Sequence, residues 1–223
     1  MVNIEVWESL QNEFAAKGVK LVAVSKTKPV SDIETLYKLG QRDFGENYVQ
    51  ELVEKQAQLP GDICWHFIGH LQSNKVKLIA PFVHMVHTVD SFKLLVEINK
   101  YASKNGRVID VLLQMHIADE ETKFGMDEKE IINLLDYYEA QKASLKDVRI
   151  CGLMGMATNT DDEKKIRAEF CRLNNFYRHL SQTSFFGKPW FSFCSMGMSA
   201  DYKIAIEEGS TLVRIGSMLF GSR

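Results

Sequence analysis

Leu21-Val22-Ala23-Val24-Ser25-Lys26-Thr27-Lys28-Pro29 is the stretch that decides how this chain folds. Four apolar residues run straight into a serine and a lysine. A short unbroken apolar run beside turn signals predicts a strand buried on both faces. Pro29 offers no backbone donor and steers Lys28 away from helix. Ser31-Asp32-Ile33-Glu34 then reads as a capping box that opens a helix. Lys26 is therefore expected at the carboxyl end of a buried parallel strand, in the loop before the next helix. That edge is where α/β sheets, open or closed, bind ligands. A partly desolvated amine there loses proton affinity and becomes a nucleophile towards aldehydes. For this stretch alone, a solvated loop lysine is the plainer alternative.

Working outward, residues 3–17 place Ile4, Trp7, Leu10 and Phe14 at helical spacing, and Gly18 closes that helix. Further strands are expected at 42–46, 64–69, 83–88, 108–115, 148–154, 190–194 and 211–215, alternating with helices. Expected helix caps are Asn47, Ser73, Asp90 or Ser91, Asp127 with Glu130, Thr160 with Glu163, and Ser199. Eight strands alternating with helices, with no hairpin signal or linker, imply parallel pairing around one core. The expected fold is an α/β (β/α)8 TIM barrel. A doubly wound open sheet is the alternative, because periodicity does not show closure. The last strand falls close to the chain end, so the expectation is one domain over 1–223.

Composition narrows the function classes. The 223 residues are 45% hydrophobic and 25% charged, with a formal net charge of -2. Nothing there favours nucleic acid or an anionic membrane. No apolar run reaches the roughly eighteen residues of a membrane span, and the first residues read as an amphipathic helix rather than a signal peptide. A cytoplasmic protein is expected. Cys64, Cys151, Cys171 and Cys194 show no CxxC spacing and read as reduced thiols, with Cys64, Cys151 and Cys194 buried in or beside strands. HxxxH, DxD and clustered-carboxylate patterns are lacking, so no metal is expected. GxxxxGK[ST] is lacking too.

Two glycine- and serine-rich turns close the chain: Ser195-Met196-Gly197-Met198-Ser199 after the seventh strand, and Gly216-Ser217 after the eighth. Barrels of this class commonly seat a phosphate there. Glycine lets backbone amides approach, serine hydroxyls donate, and a helix N-terminus adds positive potential. Tight βα turns alone would also explain the glycines. Arg214 interrupts an apolar strand and needs a partner, either a carboxylate such as Glu46 or an acceptor on a ligand. His66 reads as a core histidine, Asn47 as a cap or a contact, and Lys123 as a second candidate amine. A lysine nucleophile, a phosphate cradle and a buried arginine on one face suggest pyridoxal 5'-phosphate.

Several motifs also resemble a known family. They are Val24-Ser25-Lys26-Thr27-Lys28-Pro29, Phe44-Gly45-Glu46-Asn47-Tyr48-Val49-Gln50-Glu51 and Trp65-His66-Phe67-Ile68-Gly69-His70-Leu71-Gln72-Ser73-Asn74-Lys75. Gly152-Leu153-Met154, Ser195–Ser199 with Asp201, and Val213-Arg214-Ile215-Gly216-Ser217 with Phe220-Gly221 continue the match. The chain resembles the single-domain pyridoxal phosphate homeostasis proteins along nearly its whole length. The resemblance implies an alanine-racemase-like barrel of the fold type III class, without that enzyme's second β-domain. It implies Lys26 as the Schiff-base lysine, Arg214 beside the pyridine nitrogen, Ser195, Ser199, Gly216 and Ser217 at the phosphate, and Asn47 near the cofactor. One departure is His116 before Ile117, where the family shows asparagine, at a position expected to face the cofactor.

The function expected from this reading is a monomeric protein that buffers pyridoxal 5'-phosphate and delivers it to apo-enzymes, with little or no turnover. A pyridoxal-phosphate-dependent amino-acid racemase is the alternative, and a Schiff-base aldolase a weaker third. Two points separate them. The racemase's opposite-face tyrosine belongs to a site completed by the partner subunit's second domain, which this chain is not expected to have. A permanent cation at Arg214 also discourages protonation of the pyridine nitrogen, where a carboxylate would favour it.

Overall fold

The computed structural model describes residues 2–119 and 124–221, so Lys123 lies outside the described residues. The strands are β1 (Lys20–Val24), β2 (Asp43–Glu46), β3 (Cys64–Phe67), β4 (Met85–Val89), β5 (Ile109–Gln114), β6 (Val148–Met154), β7 (Phe193–Ser195) and β8 (Leu212–Ile215). Each is parallel to its neighbours, and β8 returns to pair with β1 through Leu21↔Val213 and Ala23↔Ile215. That last pairing settles closure: the sheet is a barrel, not an open doubly wound sheet.

The helices are α1 (Ile4–Lys17), α2 (Val30–Lys38), α3 (Val49–Gln56), α4 (Val76–Ile79), α5 (Phe92–Lys104), α6 (Glu128–Ala140), α7 (Glu163–Gln182), α8 (Tyr202–Glu207) and α9 (Ser217–Phe220). Their apolar stripes meet the strands in one large core that includes Phe14, Ile33, Leu36, Leu95, Ile131 and Phe170. Both faces of the sheet are therefore covered, which is why β1 reads as an unbroken apolar run. A second, smaller cluster joins Met85, Leu112, Cys151 and Met154 from β4, β5 and β6.

Most strands and helices lie near where the sequence puts them, although β7 starts at Phe193 rather than Trp190; the caps often do not. Asp127 and Glu130 do form a reciprocal capping box on α6, and Ser91 caps α5. By contrast, α2 starts at Val30 behind Pro29 with no side-chain cap, so Ser31–Glu34 is not a capping box. Asp162, not Thr160, caps α7, and Gln72 rather than Ser73 precedes the short 3-10 turn before α4. Tyr48, not Asn47, precedes α3, and Asp201, not Ser199, precedes α8. The α9 helix after β8 is an addition; its Leu219 carbonyl accepts from Asn3 N at 2.8 Å and so ties the chain start to the chain end.

The four thiols are free. Burial pushes Cys151 and Cys194 up to about 12, whereas Cys64 is half-buried rather than buried. Among the described residues no helix is long and apolar enough to cross a membrane.

Candidate functional site

A cavity of about 360 Å³ opens at the carboxyl ends of the strands. Lys26, Asn47, Ser199, Arg214, Gly216 and Ser217 all line it, contributed by the segments that follow β1, β2 and β7 and by β8 with its turn. Ile68, after β3, and Met156, after β6, supply apolar wall. Ser195 is not part of that wall; it is fully buried in β7. His116 is half-buried and does not line the cavity, contrary to its expected place. A larger groove of about 860 Å³ lies on the outer surface between α6 and α7, away from the strand ends, and gathers none of these residues.

Arg214 is held rigidly. Its Nη1 donates to Ser195 O at 3.1 Å and to Ser195 Oγ at 2.6 Å, and its Nη2 donates to Gly155 O at 3.2 Å. Burial pushes its pKa down to about 10, so it stays cationic at neutral pH. Glu46 is not its partner. That carboxylate accepts from Ser25 Oγ at 2.6 Å and from Lys55 Nζ at 2.8 Å.

The segment carrying Lys26 is clamped on both sides. Lys55 is only 5% exposed, and besides Glu46 it donates to Ser25 O at 2.7 Å and to Glu51 Oε1 at 2.6 Å. Glu51 Oε1 also accepts from Thr27 N at 2.6 Å. Thr27 has φ 64°, a left-handed conformation unfavourable for a β-branched residue. One buried ion cluster thus fixes Ser25 and Thr27, the two neighbours of Lys26, including the strained turn between them. Burial raises the Glu46 pKa, while Lys55 and Ser25 pull it the other way. Sequence reasoning missed Lys55 and Glu51. Their i,i+4 spacing on α3 was visible, but nothing in the sequence said that this face turns inward. It also missed Lys28, which lines the cavity beside Lys26.

Asn47 is pressed against Gly69: a Cβ on Gly69 would lie 2.1 Å from Asn47 O, so only glycine fits. The Asn47 Oδ1 atom is buried with no hydrogen-bond partner among the described residues, which costs free energy unless another group meets it. The two closing turns are bonded to each other. Gly216 N donates to Ser199 Oγ at 3.3 Å, and Arg214 N donates to Gly197 O at 3.1 Å. Gly197 has φ 94°, and a Cβ there would lie 2.5 Å from Ala205 Cβ. Met198 N donates to Asp201 Oδ1 at 2.6 Å, which engages one amide of that turn internally.

His66 sits deeper in the barrel. It is fully buried, with Nε2 2.8 Å from Asp43 Oδ1 and Nδ1 2.8 Å from His87 Nε2. Its structural reading holds with respect to the cavity, which it does not line.

Residues 5–223 match the family model for the N-terminal domain of alanine racemase. The pyridoxal phosphate homeostasis protein of Aquifex aeolicus is 39% identical over 215 residues, spanning 95% of this chain and 91% of that protein. The human protein of the same name is 38% identical over 221 residues, spanning 92% and 76%. Solved structures of PipY from Synechococcus elongatus PCC7942 align at TM-score 0.87 without PLP (35% identity, 97% and 99% of the two chains) and 0.79 with PLP bound (36%, 92% and 93%). Alanine racemase from Streptomyces coelicolor, at 16% identity and TM-score 0.74 over 94% of this chain and 56% of that one, shares the fold. The chain belongs to the pyridoxal phosphate homeostasis protein family, built on the alanine racemase N-terminal barrel.

Proposed function

We propose that this chain binds pyridoxal 5'-phosphate as an imine on Lys26 and holds it for delivery to apo-enzymes, acting as a monomer with little or no turnover. The observation that carries the reading is the gathering of Lys26, Arg214 and both closing turns in one cavity. The PLP-bound PipY relative supports it. When bound, the cofactor supplies an aldehyde that condenses with a primary amine, releasing water, and a ring able to take up electrons.

The chain's own residues fit such a group. The hydroxyls of Ser199, itself fixed by the Gly216 amide, and Ser217 would form a small cradle donating to phosphate oxygens. Asn47 brings a buried polar atom that lacks a partner among the described residues to the same cavity. Arg214 is the donor for the pyridine nitrogen, and Ser195 works through it by fixing the guanidinium. The Lys55–Glu46–Glu51 cluster positions Lys26 by holding both neighbours. Arg214 is also what makes turnover slow. A locked cation beside the ring nitrogen opposes the protonation that would stabilise negative charge on a substrate carbon.

The test is absorption spectroscopy of the purified protein with added pyridoxal 5'-phosphate, followed by deuterium exchange into alanine in heavy water. An imine band with Cα exchange well below about one per second is expected. Absence of the band contradicts cofactor binding at Lys26. Exchange at enzyme-like rates contradicts the carrier reading and favours the racemase.

A further inference from the structure

We propose that Asp43, His66 and His84 form a metal site at the amino end of the barrel, opposite the cofactor cavity, with the donor set of a zinc-class divalent ion. The sequence hides it, because the three residues are far apart and follow no ligand motif. The fold brings them together: Asp43 opens β2, His66 lies in β3 and His84 immediately precedes β4, and these strands are neighbours. One ligand atom from each lies within 4.8 Å of the other two. Tetrahedral zinc with bonds of about 2.0–2.2 Å needs Asp43 Oδ1 and His66 Nε2, now 2.8 Å apart, to open slightly while His84 moves in. Two imidazoles and one carboxylate leave a fourth tetrahedral position for water. Nitrogen donors favour zinc, cobalt or nickel over magnesium and calcium, which prefer oxygen.

Two further features support the site. His66 Nδ1 lies 2.8 Å from His87 Nε2, so the nitrogen not facing Asp43 is already engaged, as outer-shell partners of ligating histidines are. His66 and His87 are fully buried on strands, which fixes both rings, while Asp43 and His84 are only partly buried and give an ion access. A built-in competitor is also present: Lys20 Nζ lies 2.7 Å from Asp43 Oδ1, with its side chain 36% exposed. An ion would displace this ammonium towards solvent. The nearby Asp110 is paired with Arg149 at 2.6 Å.

The competitor makes the proposal sharply testable. Protein stripped with EDTA is titrated with Co2+ as a visible probe and then with Zn2+ by calorimetry. Expected are one ion per chain, a cobalt d–d spectrum abolished by zinc, and a higher thermal midpoint with metal. His84→Asn should weaken binding at least about tenfold, whereas Lys20→Gln should tighten it. Pyridoxal 5'-phosphate loading, whose cavity neither residue lines, reports on the fold and should be unchanged in both. Lack of stoichiometric uptake, uptake that survives His84→Asn, or affinity unmoved by Lys20→Gln would each overturn the site.

Discussion

The two ends of the barrel are built from the same eight strands and solve the problem of charge in opposite ways. At the amino end, Lys20 meets Asp43 at 2.7 Å and Arg149 meets Asp110 at 2.6 Å, so these cations carry their own carboxylates. At the carboxyl end, Arg214 is fixed by the neutral oxygens of Ser195 and Gly155. Ions are paired there too: Lys165 meets Asp119 at 2.6 Å after β5, and Lys55 with Glu46 and Glu51 is buried behind the Lys26 loop and holds backbone. The two amino-end cations are met by carboxylates, whereas Arg214 in the cavity wall is held by neutral oxygens.

The comparison breaks most visibly at Lys55. Lys55→Met leaves the Glu46 carboxylate buried beside Ser25 without its cation, a loss of about 3 kcal/mol at neutral pH by urea unfolding. Because burial already raises the Glu46 pKa, the deficit should shrink at acid pH as Glu46 takes up a proton. The same substitution should lower the yield of borohydride-trapped cofactor, since both neighbours of Lys26 are released. Lys20→Gln at the other end removes a partly exposed pair and should cost less than about 1 kcal/mol. Equal losses at the two sites would erase the distinction.

A smaller effect comes from the histidines. Burial pushes His66, His84 and His87 below the ordinary value, His87 well below it. Each is neutral in the fold but takes a proton when the chain unfolds below about pH 6.5. The unfolded state then binds more protons, so stability is full above that pH and is lost as pH falls towards the folded values. Each such histidine costs at most about 1.4 kcal/mol per pH unit across its window. In EDTA the thermal midpoint should therefore drop between pH 7.5 and 5.5. A flat or rising profile would contradict the neutral, buried histidines.

What the sequence disclosed follows from how local each signal is. β6 is readable to the residue, because Val148–Met154 is apolar at every position but Arg149 and Gly152 and lies between turns. Lys26 is readable because its strand, its proline and its helix are contiguous. Closure is not readable, since it rests on β1 meeting β8. Asn47 and Ser199 look like caps because short polar side chains at strand-to-helix turns serve either role. Here the Asn47 backbone packs against Gly69, and Ser199 accepts from Gly216. Of the two partners open to Arg214, a carboxylate such as Glu46 or a ligand acceptor, the structure removes Glu46. Glu46 and Arg214 stand on strands that flank β1, but Glu46 is taken by Lys55 from the helix that follows it. Asp43, His66 and His84 meet only once three strands are in register.

The central claim is that Lys26 is the amine at the carboxyl end that carries the cofactor. Holo-protein is reduced with borohydride, digested and mapped by peptide mass spectrometry. The account predicts the reduced pyridoxyl phosphate adduct on Lys26 and its loss in Lys26→Ala, with the variant still folded. An adduct on Lys28 or Lys123 that survives Lys26→Ala would contradict it.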